Sequence, residues 1–244
     1  LYYKEEYDYS SLGGNMLNQY GSARGWMPDV NHIGTTQYGY ADVPPNTMKP
    51  IAVVNHIMQG YARTMIEWAE TNSVQKSAHF IVDREGNITQ TVSIYSPAWH
   101  AGRTAKESWK SFPGGNPNKY TVGIEHEGFS VDPGYGYDFI YEDEWPEAMM
   151  QASAKIHQWV LGELGLEASD QTVIGHYETD AVSRANDPGP AWSRDTLLSL
   201  ILGESSHSDT DPVACNCDER LATIEQRLDK LETWARKEDD NSFD

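Results

Sequence analysis

Cysteine and long apolar runs are scarce in this chain of 244 residues. Its two cysteines, Cys215 and Cys217, lie near the C-terminus, so the main part of the chain contains neither a disulfide nor a cysteine-ligated zinc site. No segment approaches the roughly 18 consecutive apolar residues that a membrane-spanning helix needs. A metal ion in the main part of the chain would therefore be bound by histidine and carboxylate side chains.

Positive charge is also scarce. Lysine and arginine number 18 against 37 aspartate and glutamate residues, which gives a formal net charge of -19 at pH 7. Acidic residues are in excess both before and after residue 204, and a surface of this sign repels phosphate. We therefore expect neither a nucleic-acid partner nor a membrane partner, and the charge is consistent with a role in solubility.

Between residues 49 and 203 the sequence contains alternating strand and helix patterns. Short apolar runs predict strands, and apolar residues at helical spacing predict helices. The turn sequence Asp83–Asn87 joins two strands as a hairpin. This order predicts an α/β domain with a mixed central sheet flanked by helices. The predicted strands are 51–54, 78–82, 88–92, 120–125 and 173–176, and the predicted helices are 60–70, 144–164 and 192–202.

The segments outside this domain have different compositions. Residues 1–48 are rich in Tyr, Gly, Asn and Pro, which predicts an irregular N-terminal arm or loops wrapped on the domain. Residues 204–212 are polar and are interpreted as a linker. Residues 129–143 are rich in Gly, Tyr and Asp and are predicted to form a loop within the domain.

The C-terminal segment 213–238 has a heptad pattern. Its apolar residues step alternately by three and four positions, which predicts a short coiled-coil helix. A helix this short and polar is marginally stable alone, so we expect a homo-oligomer through 213–238; packing on its own domain and disorder are the alternatives. Whether the two cysteines form disulfides stays open. The apolar positions are Leu221, Ile224, Leu228, Leu231 and Ala235.

Several histidines lie at predicted strand ends. His176 and Asp187 are separated by a loop that can fold back and bring both side chains to one point. His56, at the end of an earlier strand, can supply a third ligand. Two histidines and one carboxylate leave zinc with an open coordination position, as in catalytic rather than structural sites. Such zinc lowers the pKa of bound water to roughly 7 and polarises a carbonyl group.

Hydrolysis also needs a group that accepts a proton from water. Glu125 ends a predicted strand and is the candidate general base. Glu127 lies two residues further on and is a rival for this role. His126 lies between them, should point to the opposite face, and is predicted to be structural.

Six short motifs, spread in order over about residues 50–200, resemble the type 2 N-acetylmuramoyl-L-alanine amidase family. That family is related to the peptidoglycan recognition proteins and includes many phage endolysins. Each motif alone is weak, and their common order makes the resemblance specific. The motifs are Val53–His56, Ala78–Gly86, Ala98–Gly102, Val122–Glu125, Ile174–Tyr177 and Asp187–Gly189.

The resemblance implies roles for individual residues. The zinc ligands of the family correspond to His56, His176 and Asp187, and its catalytic glutamate corresponds to Glu125. The segment around His100 falls where the family lines its substrate cleft. This histidine is expected to contact substrate or to stabilise the tetrahedral intermediate, unless it only packs the loop. His79 falls on a strand position and is expected to be structural.

Two positions depart from the family pattern. Asn55 replaces a second histidine that precedes the zinc-binding one in many members, and that position is not a ligand. Ala185 replaces a lysine that many members place two residues before the metal-binding aspartate, where it would stabilise the oxyanion. The neighbouring Arg184 can reach the same place, or His100 can take the whole role. Loss of an oxyanion donor costs about 10²–10³ in rate.

The resemblance implies a Zn²⁺-dependent hydrolase of peptidoglycan. It would cut the amide bond between N-acetylmuramic acid and the L-alanine of the stem peptide, and so lyse or remodel the cell wall. The alternatives are a peptidoglycan-binding module without activity and an amidase that recycles muropeptides. Leu1–Glu6 contain no visible signal peptide. We expect a protein that acts on the cell wall, either secreted or released from the host cytoplasm as a phage lysin.

Overall fold

The computed structural model describes residues 24–130 and 145–203. Within them a six-stranded mixed sheet is flanked by helices, so the predicted α/β fold is confirmed. None of the helices in these two ranges has the length and apolar content needed to cross a membrane. The strands are β1 (Asn31–His32), β2 (Ala52–Ile57), β3 (Phe80–Val82), β4 (Ile88–Gln90), β5 (Thr121–His126) and β6 (Val173–Gly175); the helices are α1 (Ala62–Thr71), α2 (Glu147–Leu164) and α3 (Arg194–Leu202).

The strand order across the sheet is β1-β4-β3-β5-β2-β6. Strands β3 and β4 form the predicted antiparallel hairpin, and the other neighbouring pairs are parallel. In the hairpin turn, the Asp83 carboxylate accepts a hydrogen bond from the Asn87 backbone N–H at 2.7 Å. Strand β2 therefore lies between β5 and β6, and their carboxyl ends lie at one edge of the sheet.

Alternation along the strands separates two faces of the sheet. Val53, Val122 and Ile124 point into the main core, which α2 and α3 cover with Met149, Leu197 and other apolar side chains. Burying one such side chain contributes roughly 1.5–3 kcal/mol. The opposite face carries a smaller apolar cluster of Ala52, Val54, Ile174 and Trp109. His56 and Glu125 point to this second face, while Asn55 and His126 point towards α2.

The described part of the N-terminal arm, residues 24–48, packs against the domain. It contributes β1, a two-residue edge strand that the sequence pattern did not predict. The buried Gln90 side chain anchors it: Oε1 accepts from the Met27 N–H at 2.7 Å, and Nε2 donates to the Gly25 carbonyl at 2.8 Å.

The other predicted segments are not tested by the structure. The predicted linker 204–212, the predicted coiled coil 213–238 with both cysteines, and most of the predicted loop 129–143 lie outside the described residues.

Candidate metal and active site

His56, His176 and Asp187 meet at the carboxyl ends of the parallel strands. His56 is in β2, His176 directly follows β6, and Asp187 lies on the loop after it. One ligand atom from each lies within 4.8 Å of the other two. The Asp187 Oδ2 atom lies 2.9 Å from His176 Nδ1 and 3.6 Å from His56 Nδ1. The three residues predicted as metal ligands are thus brought together.

Backbone hydrogen bonds fix the loop that presents Asp187. The Ile57 N–H donates to Asp187 Oδ1 at 2.9 Å, which leaves Oδ2 directed at the two imidazoles. The Tyr177 N–H donates to the Asp187 carbonyl, also at 2.9 Å. The Glu178 carboxylate accepts from the Gly175 N–H at 2.8 Å and forms an ion pair with Arg194, which holds the turn carrying His176.

The electrostatics of the cluster favour a neutral imidazole beside a carboxylate. Burial, together with the neighbouring His176, lowers the pKa of His56 to about 4. Burial acts to raise the pKa of Asp187, but His56 and His176 outweigh it and hold that pKa below its usual range. Neutral imidazole nitrogens and an ionised carboxylate are the forms that bind a metal ion. Two nitrogens and one oxygen are also a common ligand set of catalytic zinc.

Glu125 projects from β5 towards this cluster. Burial, reinforced by the charge of Asp187, raises the pKa of the Glu125 carboxyl to about 8. Its Oε2 atom is buried and has no hydrogen-bond partner among the described residues. Leaving a buried polar atom unpaired costs free energy. A carboxyl in this state, in a cleft and next to potential metal ligands, is a candidate for proton transfer.

The rival Glu127 serves a different purpose. Its Oε1 atom accepts from the Ala62 N–H and its Oε2 atom from the Arg84 N–H, each at 3.2 Å, so it joins the start of α1 to the hairpin turn. His126 faces α2, as predicted: its Nε2 lies 2.9 Å from the Ser153 Oγ. Glu125 is therefore the residue of this segment that lines the cleft.

The imidazole of His100 lies next to the imidazole of His56. Its Nδ1 is 3.0 Å from His56 Nε2, and its Nε2 is 3.4 Å from the Thr121 carbonyl oxygen. If His56 binds a metal through Nδ1, its Nε2–H donates to His100 Nδ1, and His100 Nε2–H points at Thr121. Metal-binding histidines commonly donate their second N–H in this way, which fixes the tautomer.

Sequence reasoning did not find that Gly123 packs against His100, although it named the neighbouring His79 as structural. A Cβ atom at Gly123 would lie 2.5 Å from the His100 ring, so only glycine fits there. The Gly123 N–H donates to His79 Nδ1 at 2.9 Å, and His79 Nε2 lies 2.9 Å from the Ser96 carbonyl oxygen. A glycine inside a predicted strand was the available signal, because it often marks close approach of another group.

A cleft of about 740 Å³ opens over the cluster. Arg184 and Ala185 lie on its exposed rim, and Lys76 also lines it. The aromatic rings of Trp68 and Trp99 contribute to its walls. All six residues predicted for the site border this cleft: His56, His100, Glu125, His176, Arg184 and Asp187.

Comparison with known proteins gives a consistent result. Residues 46–190 match the family described as N-acetylmuramoyl-L-alanine amidase. N-acetylmuramoyl-L-alanine amidase A of Achromobacter lyticus is 33% identical over 129 residues, which cover 52% of this chain and 60% of that protein. The 1,6-anhydro-N-acetylmuramyl-L-alanine amidase AmpD of Haemophilus influenzae is 26% identical over 177 residues, covering 71% of this chain and 85% of AmpD.

Solved structures share the fold. A crystal structure of selenomethionine AmpD aligns with a TM-score of 0.54 at 21% identity and covers 73% of this chain and 97% of that one. The amidase AmiD from E. coli, in complex with anhydro-N-acetylmuramic acid-L-Ala-D-γ-Glu-L-Lys, aligns with a TM-score of 0.50 at 22% identity. That alignment covers 62% of this chain and 57% of AmiD.

Proposed function

This chain belongs to the N-acetylmuramoyl-L-alanine amidase family, and from this premise we propose that it is a zinc-dependent hydrolase of bacterial peptidoglycan. It cleaves the amide bond that joins N-acetylmuramic acid to the L-alanine of the stem peptide. The observation that carries the proposal is the meeting of two imidazoles and a carboxylate beside the buried Glu125 carboxyl, whose Oε2 atom has no hydrogen-bond partner among the described residues.

His56, His176 and Asp187 are the proposed zinc ligands. They would hold zinc through two imidazole nitrogens and one carboxylate oxygen, a ligand set found in catalytic zinc sites. When bound, zinc supplies a Lewis acid for the substrate carbonyl and a water molecule of lowered pKa. The buried surroundings of His56 keep its imidazole neutral, so its lone pair is available near neutral pH.

Glu125 is the proposed general base. Its carboxylate accepts a proton from the water that attacks the carbonyl carbon, and the resulting carboxylic acid returns the proton to the leaving amine of L-alanine. A carboxyl whose pKa is raised to about 8 by burial and by Asp187 retains a proton well at this stage. Positive charge bound at the cluster would lower that pKa and favour the basic form at the start of the reaction.

Arg184 and His100 are the proposed partners for negative charge that develops on the carbonyl oxygen. Arg184 lies on the cleft rim beside Ala185, the position where many members of the family carry lysine. Its guanidinium is exposed, so it can move to the substrate. His100 is already hydrogen-bonded to His56, so its first effect is on the orientation of that ligand.

The proposed substrate is polymeric wall peptidoglycan, with an anhydromuropeptide as the second candidate. The match to AmpD of Haemophilus influenzae, named as a 1,6-anhydro-N-acetylmuramyl-L-alanine amidase, favours the second. The predicted oligomer favours the first, since several clefts on one assembly bind a polymer more tightly than a single cleft does. We propose that residues 213–238 form this assembly and that the protein acts on the wall after secretion or phage-type release.

Purified walls and a soluble anhydromuropeptide provide the test. Mass spectrometry of the products should detect stem peptides with a free L-alanine amine, and the products should disappear with a chelator and return with Zn²⁺. His176→Ala should abolish cleavage. Faster turnover of the soluble substrate at equal bond concentration would assign the recycling function instead.

Two results contradict the proposal. New reducing sugar ends without free amines would indicate a glycosidase. Tight binding to walls without any product, by protein that contains one zinc per chain, would indicate a binding module. The coiled-coil proposal is tested separately by sedimentation, where a monomer at micromolar concentration would contradict it.

A further inference from the structure

Tyr40, in the described part of the N-terminal arm, contacts Asn118, a residue that lines the cleft. Its hydroxyl accepts hydrogen bonds from Asn118 Nδ2 at 2.8 Å and from Asn116 Nδ2 at 3.2 Å. Tyr40 lies before residue 46, where the match to the amidase family begins. The contact therefore joins a segment outside the family match to a segment inside it.

Asn118 passes this contact on to the segment that carries His100. Its Oδ1 atom accepts from the His100 N–H at 3.0 Å and from the Ala101 N–H at 2.6 Å. Because both backbone N–H groups donate to Oδ1, the orientation of the Asn118 amide is fixed, and its Nδ2 end faces the Tyr40 hydroxyl. Asn118 is 3% exposed, so water does not compete for these hydrogen bonds.

His100 in turn contacts the proposed metal ligand His56, with 3.0 Å between His100 Nδ1 and His56 Nε2. Its ring has little freedom, because Gly123 lies against one side and Thr121 lies near its Nε2 atom. Hydrogen bonds therefore link Tyr40 to Asn118 and Asn118 to the His100 backbone, and the imidazole on that backbone contacts the imidazole of His56.

The arm also holds the neighbouring turn by charge. The ammonium of Lys119 lies 2.5 Å from the Asp42 carboxylate and 5.1 Å from the centre of the Tyr40 ring. Tyr40 and Val43 are joined by two backbone hydrogen bonds, of 3.3 and 3.2 Å, which form a tight turn that presents the tyrosine. The arm thus contacts this part of the domain through the Tyr40 hydroxyl, the Tyr40 ring and the Asp42 carboxylate.

We infer that Tyr40 and Asn118 are positioning residues, and that the arm completes the active site by holding His100 against His56. In this arrangement His100 accepts the Nε2–H of His56 and leaves His56 Nδ1 free to bind metal. Outer partners of this kind commonly change metal affinity or activity by 10- to 100-fold. The inference rests on the proposed function for its catalytic consequence but not for the arrangement itself.

The test compares four variants of the full chain. Tyr40→Phe removes only the hydroxyl, and Asn118→Leu removes both ends of the amide. Asn118→Asp keeps an oxygen that accepts from both backbone N–H groups and can accept from the Tyr40 hydroxyl. Tyr38→Phe is the matched control, because within the described residues its hydroxyl makes no hydrogen bond and it lies in the same arm. Thermal unfolding identifies any variant that fails to fold.

The first readout is the ¹⁵N chemical shifts of the His56 and His100 imidazoles in metal-free protein, which report the tautomer whether or not the protein is active. Tyr40→Phe and Asn118→Leu should move these signals, and Asn118→Asp and Tyr38→Phe should leave them in place. Unchanged shifts in folded Tyr40→Phe and Asn118→Leu would overturn the inference. If the wild-type protein cut no substrate, the proposed function would fail, and the shifts would still decide the positioning role.

The second readout is kinetic. For Tyr40→Phe, kcat should fall about two- to tenfold with KM unchanged, the range that one neutral hydrogen bond supports. For Asn118→Leu the fall should be about 10- to 100-fold. Asn118→Asp should recover most of the loss. Equal losses in Asn118→Asp and Asn118→Leu would show that packing and not hydrogen bonding is responsible, and would overturn the inference.

Discussion

His56 and Glu125 are register partners on adjacent parallel strands, β2 and β5. Directly paired residues of neighbouring strands point to the same face of a sheet. The register of the sheet therefore places the proposed metal ligand and the proposed general base side by side. Their separation does not depend on a loop.

The first prediction concerns the two glutamates of this segment. Glu125→Gln preserves shape but cannot accept a proton, so kcat should fall by about 10²–10⁴ while bound zinc is retained. Glu127→Gln is the matched control. It weakens the hydrogen bonds to Ala62 and Arg84 and should cost about 1 kcal/mol of stability with activity within a few-fold of wild type. Steady-state kinetics, metal analysis and urea unfolding measure these effects; the reverse pattern would transfer the catalytic role to Glu127.

The second prediction concerns the cation on the cleft rim. Arg184→Ala should lower kcat by about tenfold or more. The loss should stay below the roughly 10²–10³ loss in kcat that follows removal of a buried oxyanion donor, because Arg184 is exposed. Adding Ala185→Lys to that variant should restore activity. Lys76→Ala is the control, because it removes a cation from the same cleft and changes the net charge by the same amount. Equal losses for Arg184→Ala and Lys76→Ala, measured as kcat and KM, would indicate general attraction of an anionic substrate.

The third prediction uses the close contact at Gly123. In Gly123→Ala the new methyl group would lie 2.5 Å from the His100 ring, which must move away from His56. Such overpacking costs typically about 1–3 kcal/mol, and the lost support of His56 should reduce activity about 10- to 100-fold. In Gly162→Ala, within α2, a Cβ meets no atom within 4 Å, so that variant should gain about 0.5–1 kcal/mol. Wild-type kinetics in Gly123→Ala would contradict the proposed role of His100.

The fourth prediction concerns acid. Burial lowers the pKa of His79 and His157 to about 4 and that of His126 to about 3, below the ordinary value of about 6.5. The unfolded chain therefore binds more protons than the folded chain between those values. Above pH 6.5 these histidines are neutral in both states and do not lower the free energy of unfolding. As the pH falls from 6.5 towards 4, each of them lowers it by up to about 1.4 kcal/mol per pH unit.

Urea unfolding of the metal-free protein from pH 7 to pH 5 measures this dependence. Stability should fall steeply over that interval, and His157→Gln should make the slope shallower by up to one proton. The variant is informative because His157 lies in the core, where its Nδ1 is 2.8 Å from the Ser153 carbonyl oxygen, and does not border the cleft. An identical slope in the variant would show that His157 is not a source of the acid sensitivity.

Much of this architecture is readable from the sequence because alternation and motif order are local signals. The sheet, its hairpin and the helices follow from short apolar runs and helical spacing. Alternation also placed His126 on the face opposite Glu125. It did not separate Glu125 from Glu127, since β5 ends at His126 and the backbone beyond it no longer follows the strand.

What the sequence could not predict depends on contacts between distant residues. Strand β1 has only two residues, too few for a periodic pattern. The link from Tyr40 to Asn118 joins positions 78 residues apart, and the link from Gly123 to His100 joins positions 23 residues apart. Both exist only after the sheet has formed. Hydrogen-bond partners of this kind are specified by packing and not by a local pattern.

The rim loop from Val182 to Asn186 is exposed along its whole length, whereas the ligands behind it project from the sheet or are tied to it by backbone hydrogen bonds. Apart from Arg184, this loop contains none of the residues proposed for the reaction. A library randomised at Val182, Ser183, Ala185 and Asn186, with Arg184 kept, should therefore yield enzymes with altered cleavage preferences without loss of folding.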